Sequence, residues 1–183
     1  ASILDFMRQS RPQVFAQLQD DVQYLLSHIN MIDTERTEQK TRVIIREKTF
    51  EREAPTISAG TLRIIAMLLP FYALDMRYPE LPGLVVIEEP DTALNPWLLK
   101  NFVEQLRSYT EQEGKPRQVI LTTHNPMFLN YFQPEEVRVV ERDEQGYTHV
   151  NTIPDYIKDI WLKDGEYGLG EVWTTNSFGG LPK

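Results

Sequence analysis

Two short runs of apolar, mostly branched residues limit what this chain can become: Leu84 to Ile87, and Val119 to Thr123. Continuous runs of this kind suit strands buried on both faces, the pattern of parallel sheets. Pro82-Gly83 bounds the first run. Between the two, Asn95-Pro96 supplies a capping side chain followed by proline in the first turn, a good helix start. Leu99, Phe102, Val103 and Leu106 then recur at three or four and give that helix a buried face, with Gly114 as its expected stop. Strand, helix, strand within about 40 residues is a parallel βαβ unit, so an α/β sheet with flanking helices follows.

The flanking segments are less constrained. Val14, Leu18, Val22, Leu25, Leu26 and Ile29 predict a helix over Pro12 to Ile32. Thr41 to Phe50 reads as a strand with one wet face, paired with an earlier strand near Met31 to Thr37. Thr61 to Asp75 reads as an apolar helix with Leu62, Ile65, Ala66 and Leu69 as its inner stripe, which Pro70 should kink or end. Val137 to Arg142 and Tyr147 to Ile153 flank Asp143-Glu144-Gln145-Gly146, a hairpin turn. Beyond Tyr156 a short helix and then irregular structure are expected, with Gly165 to Gly170 as a flexible turn. The chain thus divides into an N-terminal helix-and-strand segment (1–56), a core (57–153) and a C-terminal tail (154–183).

Composition closes several routes. The 183 residues include no cysteine, which removes disulfides, cysteine-rich zinc sites and thiol catalysis. A net charge of -8 carries no basic footprint for nucleic acid, although it leaves room for a local patch. No run reaches the roughly 18 apolar residues needed to span a bilayer, and Ala1 to Ser10 has no signal-peptide core. A cytoplasmic protein without a membrane partner is the expectation.

Ligands of open α/β sheets bind at the carboxyl ends of the strands. Two polar clusters are expected there: Glu88-Glu89-Pro90-Asp91 after the first run, and Thr122-Thr123-His124-Asn125-Pro126 at the end of the second. Carboxylates at such a point suit magnesium or a nucleophilic water, while a solvated turn with ordinary acids explains them equally well. A histidine after a strand is by itself most simply a capped or core residue. Upstream, Ser58-Ala59-Gly60-Thr61 opens a helix, whose free N–H groups and dipole suit a phosphate. The plain alternative there is a serine N-cap. The three elements in this order are harder to explain separately than together.

In these residues the chain resembles a known family. Ile57-Ser58-Ala59-Gly60-Thr61-Leu62-Arg63 is similar to the signature motif of ABC ATPases, as written in their RecF/SMC-like branch. Leu84 to Pro90 resembles Walker B with its acidic pair, Asp91-Thr92-Ala93-Leu94-Asn95-Pro96 the D-loop, and Ile120 to Pro126 the H-loop. The nearest likeness is to the bacterial AAA15/AAA_21-type ATPases, which resemble RecF and the overcoming-lysogenization-defect nucleases. The resemblance implies a P-loop NTPase-like, three-layer α/β core, of which this is the C-terminal portion with its parallel strands, flanking helices and hairpin. It implies ATP and Mg2+ as cofactors and ATP hydrolysis gated by dimerisation. By that resemblance Glu89 polarises the attacking water and Glu88 sits near magnesium, through water. His124 contacts the γ-phosphate, and Ser58, Ala59, Gly60 and Thr61 bind the nucleotide held by an opposite subunit. The D-loop residues Asp91, Thr92, Ala93, Leu94 and Asn95 face that partner.

Two departures accompany the likeness. Glu88 stands where most Walker B motifs have aspartate, and Ala59 where transporters have glycine. None of the nine glycines fits the G-x-x-x-x-G-K-[ST] of a P-loop. The expectation is therefore a Walker A lobe supplied outside this chain, without which the chain alone is inactive. The partners expected are that lobe, a second copy joined through ATP, and DNA or an effector subunit, in DNA processing or anti-phage defence. Two alternatives stand beside the ATPase: a dimerisation or scaffold module with relic motifs, and a nuclease component using Glu88, Glu89 and Asp91 to bind metal directly.

Overall fold

The structure, a computed structural model, describes residues 1–53, 56–77, 82–92, 94–112, 117–164 and 167–180. They fall into two units, residues 1–122 and 123–183. The first contains α1 (Ser2–Ser10), α2 (Pro12–Leu25), β1 (Ile29–Arg36), β2 (Thr41–Glu47), β3 (Glu51–Glu53), α3 (Ala59–Arg77), β4 (Gly83–Glu88), α4 (Pro96–Thr110) and β5 (Arg117–Thr122). The second contains α5 (Pro126–Leu129), a 3-10 turn over Pro134–Glu136, β6 (Arg138–Arg142), β7 (Thr148–Thr152), α6 (Asp155–Asp164) and α7 (Leu169–Thr174).

The expected βαβ unit is present. β4 and β5 pair in parallel, and α4 links them with Leu99, Phe102, Val103, Leu106 and also Tyr109 buried. Its expected stop, Gly114, lies outside the described residues. The strands are not buried on both faces, however. Val85 is 7% exposed, whereas Leu84, Val86 and Ile120 are 54%, 58% and 44% exposed. α3 and α4 pack on this strand pair, so within this unit the described helices leave three apolar side chains of the pair in solvent.

The N-terminal segment differs in detail from the sequence reading. Helix α2 ends at Leu25 rather than running to Ile32, and Ile29 and Ile32 are core residues of β1 instead. Ile29 happens to continue the helical spacing of Leu25 and Leu26, so spacing alone cannot mark the break. The expected antiparallel pairing of β1 with β2 is present, with Ile32 opposite Ile45, and β3 adds a short third strand. Helix α1 buries Asp5, whose carboxylate accepts from Thr34 Oγ1 at 2.9 Å and from Gln9 Nε2. Arg8 pairs with Asp33 at 2.7 Å, which fixes α1 to β1.

Helix α3 also departs from expectation. Its buried residues include Thr61, Ile64, Ile65, Met67, Leu68, Phe71 and Tyr72, while Ala66 is exposed. In a helix apolar nearly all round, hydrophobicity does not single out the inner face. Pro70 does not end α3, which runs on to Arg77. The ring is exposed, and burial of Met67, Leu68, Phe71 and Tyr72 on the other side offsets the roughly 3 kcal/mol that an interior proline costs.

One polar cluster ties three helices together. Asp21 of α2 accepts from the hydroxyls of Tyr72 of α3 and Tyr109 of α4, whose oxygens lie 3.0 Å apart. Phe71 stacks on Tyr109 with centroids 4.5 Å apart. Burial first, and hydrogen bonding to Asp21 next, push both phenols well above their ordinary range, so both remain protonated.

In the second unit the hairpin forms as expected, with Val140 opposite Val150. Asp143 anchors its turn, accepting from the N–H groups of Gln145 and Tyr147 and meeting His149 at 2.9 Å. Val139, Ile153, Ile157 and Leu169 form its core. The tail holds two helices rather than one, and Gly170 is buried inside α7, not in a flexible turn. Gly165 lies outside the described residues.

Replacing Asp21 with alanine leaves two buried hydroxyls without their shared acceptor. Loss of about 2 kcal/mol or more of stability is expected, read as a lowered denaturation midpoint. An unchanged midpoint would show that the cluster does not clamp these helices.

Candidate functional site

β4 and β5 run in register from Gly83 opposite Arg117 to Glu88 opposite Thr122. One residue later the chain turns sharply. Glu89 has φ of 42°, in the left-handed region that non-glycine residues seldom occupy. Strain of this kind costs on the order of 1–3 kcal/mol and persists only where surroundings enforce it.

Those surroundings are explicit. The Glu89 N–H donates to the carbonyl of Thr122 at 3.0 Å and to its Oγ1 at 3.2 Å, one rung beyond the ladder. Arg63 Nη2 donates to the carbonyls of Glu88 at 3.2 Å and Glu89 at 2.6 Å. The Thr92 N–H donates to the Glu89 carbonyl at 3.0 Å, and Thr92 Oγ1 donates to Glu89 Oε2 at 3.2 Å. Both carboxylates, Glu88 and Glu89, lie exposed at the carboxyl end of the strand pair. Glu88, Glu89 and Asp91 do not form a metal-holding group, and among the described residues no set of three His, Asp or Glu side chains does.

Ser58 caps α3. Its Oγ accepts from the Thr61 N–H at 3.1 Å and donates to Thr61 Oγ1 at 2.8 Å, and Thr61 is buried. The serine is therefore an N-cap, and Ala59 and Gly60 occupy the first turn, where N–H groups have no partner within the helix. Ser58, Gly60 and Thr61 line a surface cavity of about 450 Å³ together with Leu94 and Asn95. His28 and Leu98 also face it. Two segments far apart in sequence, the signature-like turn and the D-loop-like turn, are thus brought to one cavity. Asn95 also caps α4, accepting from the Trp97 N–H at 3.1 Å, and Ala93 lies outside the described residues.

His124 belongs to the second unit, where it is exposed just before α5. Asn125 caps α5 by accepting from the Met127 N–H at 3.0 Å, and its own N–H donates to Thr123 Oγ1. Helix α7 braces this turn. The Gly170 N–H donates to Asn130 Oδ1 at 2.7 Å, and a Cβ at Gly170 would stand 1.8 Å from the Pro126 carbonyl oxygen. Only glycine permits that approach.

Sequence reasoning assigned no role to Arg63, Thr122 or Gly170. Arg63 leaves a trace, as a lone cation in the otherwise apolar run Leu62 to Leu69. Gly170 leaves none, since its constraint comes from a helix some 40 residues away.

Comparison with known proteins bears on this arrangement. Residues 6–130, more than half the chain, match the family described as "AAA domain, putative AbiEii toxin, Type IV TA system". No individually curated protein matches the sequence. Among solved structures, one from a study of ATP-driven dimerisation and DNA-stimulated activation of SMC ATPases is similar with a TM-score of 0.62 at 10% identity, over 88% of this chain and 96% of that one. The SMC head domain from Thermotoga maritima has a TM-score of 0.52 at 15% identity, over 82% of this chain and 51% of that one. An Smc head from Pyrococcus furiosus with an extended coiled coil, bound to the C-terminal domain of ScpA, has a TM-score of 0.58 at 9% identity, over 90% of this chain and 40% of that one. The chain thus spans about half or less of the last two. At these identities the likeness is one of fold, the P-loop NTPase fold of SMC heads.

Gly170→Ala must displace the start of α5. A loss of about 1–3 kcal/mol is expected, measured by chemical denaturation, with Asn130→Ala costing less. Wild-type stability in Gly170→Ala would rule out the tight approach of α7 to Pro126.

Proposed function

The chain belongs to the AAA_21 family of AAA domains, an ATPase-type P-loop NTPase family, and from that premise we propose that it is the C-terminal half of an ATP-hydrolysing head that works by nucleotide-gated dimerisation. The observation that carries this reading is Glu89. Its backbone is held in a strained turn at the carboxyl end of the parallel pair, with its carboxylate oriented by Thr92 and exposed. An exposed carboxylate in an enforced geometry suits a water-polarising role, because phosphoryl transfer depends mainly on positioning and charge neutralisation.

In this proposal Glu89 accepts a proton from, and orients, the water that attacks the γ-phosphate. His124 donates to the γ-phosphate and responds to its loss. Ser58 and Gly60, with Ala59 and Thr61, present the first turn of α3 to the γ-phosphate of a nucleotide held by a second copy. The D-loop residues, Asn95 among them, face that copy across the same cavity. The donor set fits magnesium better than a caged cation, since magnesium keeps several waters and takes one or two carboxylates plus phosphate oxygens. Glu88 is the residue to hold it, through water, and when bound it supplies neutralisation of phosphate charge.

The P-loop that cradles the other phosphates is proposed to come from a Walker A lobe outside residues 1–183. The exposed Leu84, Val86 and Ile120 support this, because three apolar side chains in solvent on one strand pair call for a covering layer. We further propose that ATP-driven dimerisation, named for one of the similar SMC ATPases, extends to this protein, and that the cycle drives DNA processing or anti-phage defence. Among the described residues no helix is long and apolar enough to cross a membrane.

In protein that includes the P-loop lobe, Glu89→Gln should bind ATP and accumulate as a dimer while turnover falls by a factor of about 100 or more. Size-exclusion chromatography with ATP and a phosphate-release assay read both, and undiminished turnover would remove Glu89 from this role. His124→Ala should slow turnover more than it weakens ATP binding; equal rates would exclude the histidine.

A further inference from the structure

We infer that Arg63 is a positioning residue that links the nucleotide-facing end of α3 to Glu89. This rests on the proposed role of Glu89, and goes beyond it by naming the group that sets its geometry. Arg63 stands five positions after Ser58, on the first turns of the same helix. One nitrogen, Nη2, donates to two successive carbonyls, those of Glu88 and Glu89, at 3.2 Å and 2.6 Å. These are the two carbonyls on either side of the Glu89 N–H, which is itself bound to Thr122. The peptide that must adopt φ of 42° is therefore gripped from opposite sides, by the β5 end and by α3.

The guanidinium is well suited to this grip. It is planar, always charged and rich in donors, so it can hold two carbonyls at once. A charge-assisted bond to each opposes the return of Glu89 to an ordinary backbone conformation. The Nε of Arg63 is buried with no hydrogen-bond partner among the described residues. Its head group is committed to the two carbonyls even though that leaves another donor unsatisfied. Helix α3 begins at the turn that lines the cavity with Ser58 and Gly60. A displacement of that turn on nucleotide contact is carried by Arg63 to the Glu88–Glu89 peptide, and from there to the carboxylate that Thr92 holds.

The test uses the assembled ATPase, with the P-loop lobe present. Arg63→Gln and Arg63→Lys are compared with wild type for kcat and KM for ATP, with thermal melting as a check on folding. Misplacement of a reacting group by about 1 Å lowers rate by up to about a hundredfold. Arg63→Gln is expected to lower kcat by about ten- to a hundredfold with KM changed less than about threefold. Arg63→Lys, with a single ammonium and no planar fork, should recover part of the rate. If Arg63→Gln does not fold, Arg63→Lys alone decides, by the same split between kcat and KM. A folded variant with wild-type kcat, or one in which only KM rises, overturns the inference. Glu89→Gln is assayed in parallel: undiminished turnover there overturns the role of Glu89 itself, whereas loss in Glu89→Gln with none in Arg63→Gln overturns only the role of Arg63.

Discussion

β4 and β5 meet in a register that sets Glu88 opposite Thr122, and the chemistry proposed for the first unit hangs on that pairing. Because side chains alternate along a strand, a slip of one residue would move Val85 to the solvent side and bring Leu84 and Val86 inward. It would also part the Glu89 N–H from the Thr122 carbonyl, and with it the support for a left-handed backbone at a glutamate. The apolar pattern thus fixes a polar outcome two or three residues beyond its own end. Burial of Val85 holds the strand, the strand holds the turn, and the turn holds the carboxylate.

Around this pair the helices are joined by polar contacts as well as by packing. Asp21 ties α2 to α3 and α4, and Arg63 joins α3 to the end of β4. Each of these groups is partly or wholly withdrawn from water, where an unmatched partner is costly. They therefore select one arrangement of helices over alternatives that bury similar apolar area. Helix α3 takes part in both connections, one near each end.

β4, β5, α4 and the hairpin were legible because each has a local cause: branched apolar runs, the Asn95-Pro96 start, the Asp143 turn. The motif residues were legible because they sit at the ends of those elements. What could not be read depends on distance along the chain. The inner face of α3 is chosen by what packs on it, and its sequence is apolar on every side. The end of α2 is hidden because Ile29 keeps helical spacing while entering β1. The exposure of Leu84 and Ile120 runs against their pattern, since a continuous apolar run calls for cover on both faces and the described helices of this unit leave these side chains in solvent. Gly170 is constrained by a carbonyl at Pro126, far from it in sequence.

Pro70 gives α3 a mechanical character that its length alone does not. Proline has no N–H, so the carbonyl of Ala66 lacks its partner one turn on, and both residues lie on the exposed side. Beyond that notch, Phe71 and Tyr72 are pinned through Tyr109 and Asp21. Before it lie Ser58 and Arg63. A helix tied down on both sides of such a notch has its most compliant point between the ties, because helices bend most readily at a proline. A small push at the Ser58 end would then reach the turn that carries Arg63, while the notch spares the turns tied to Asp21.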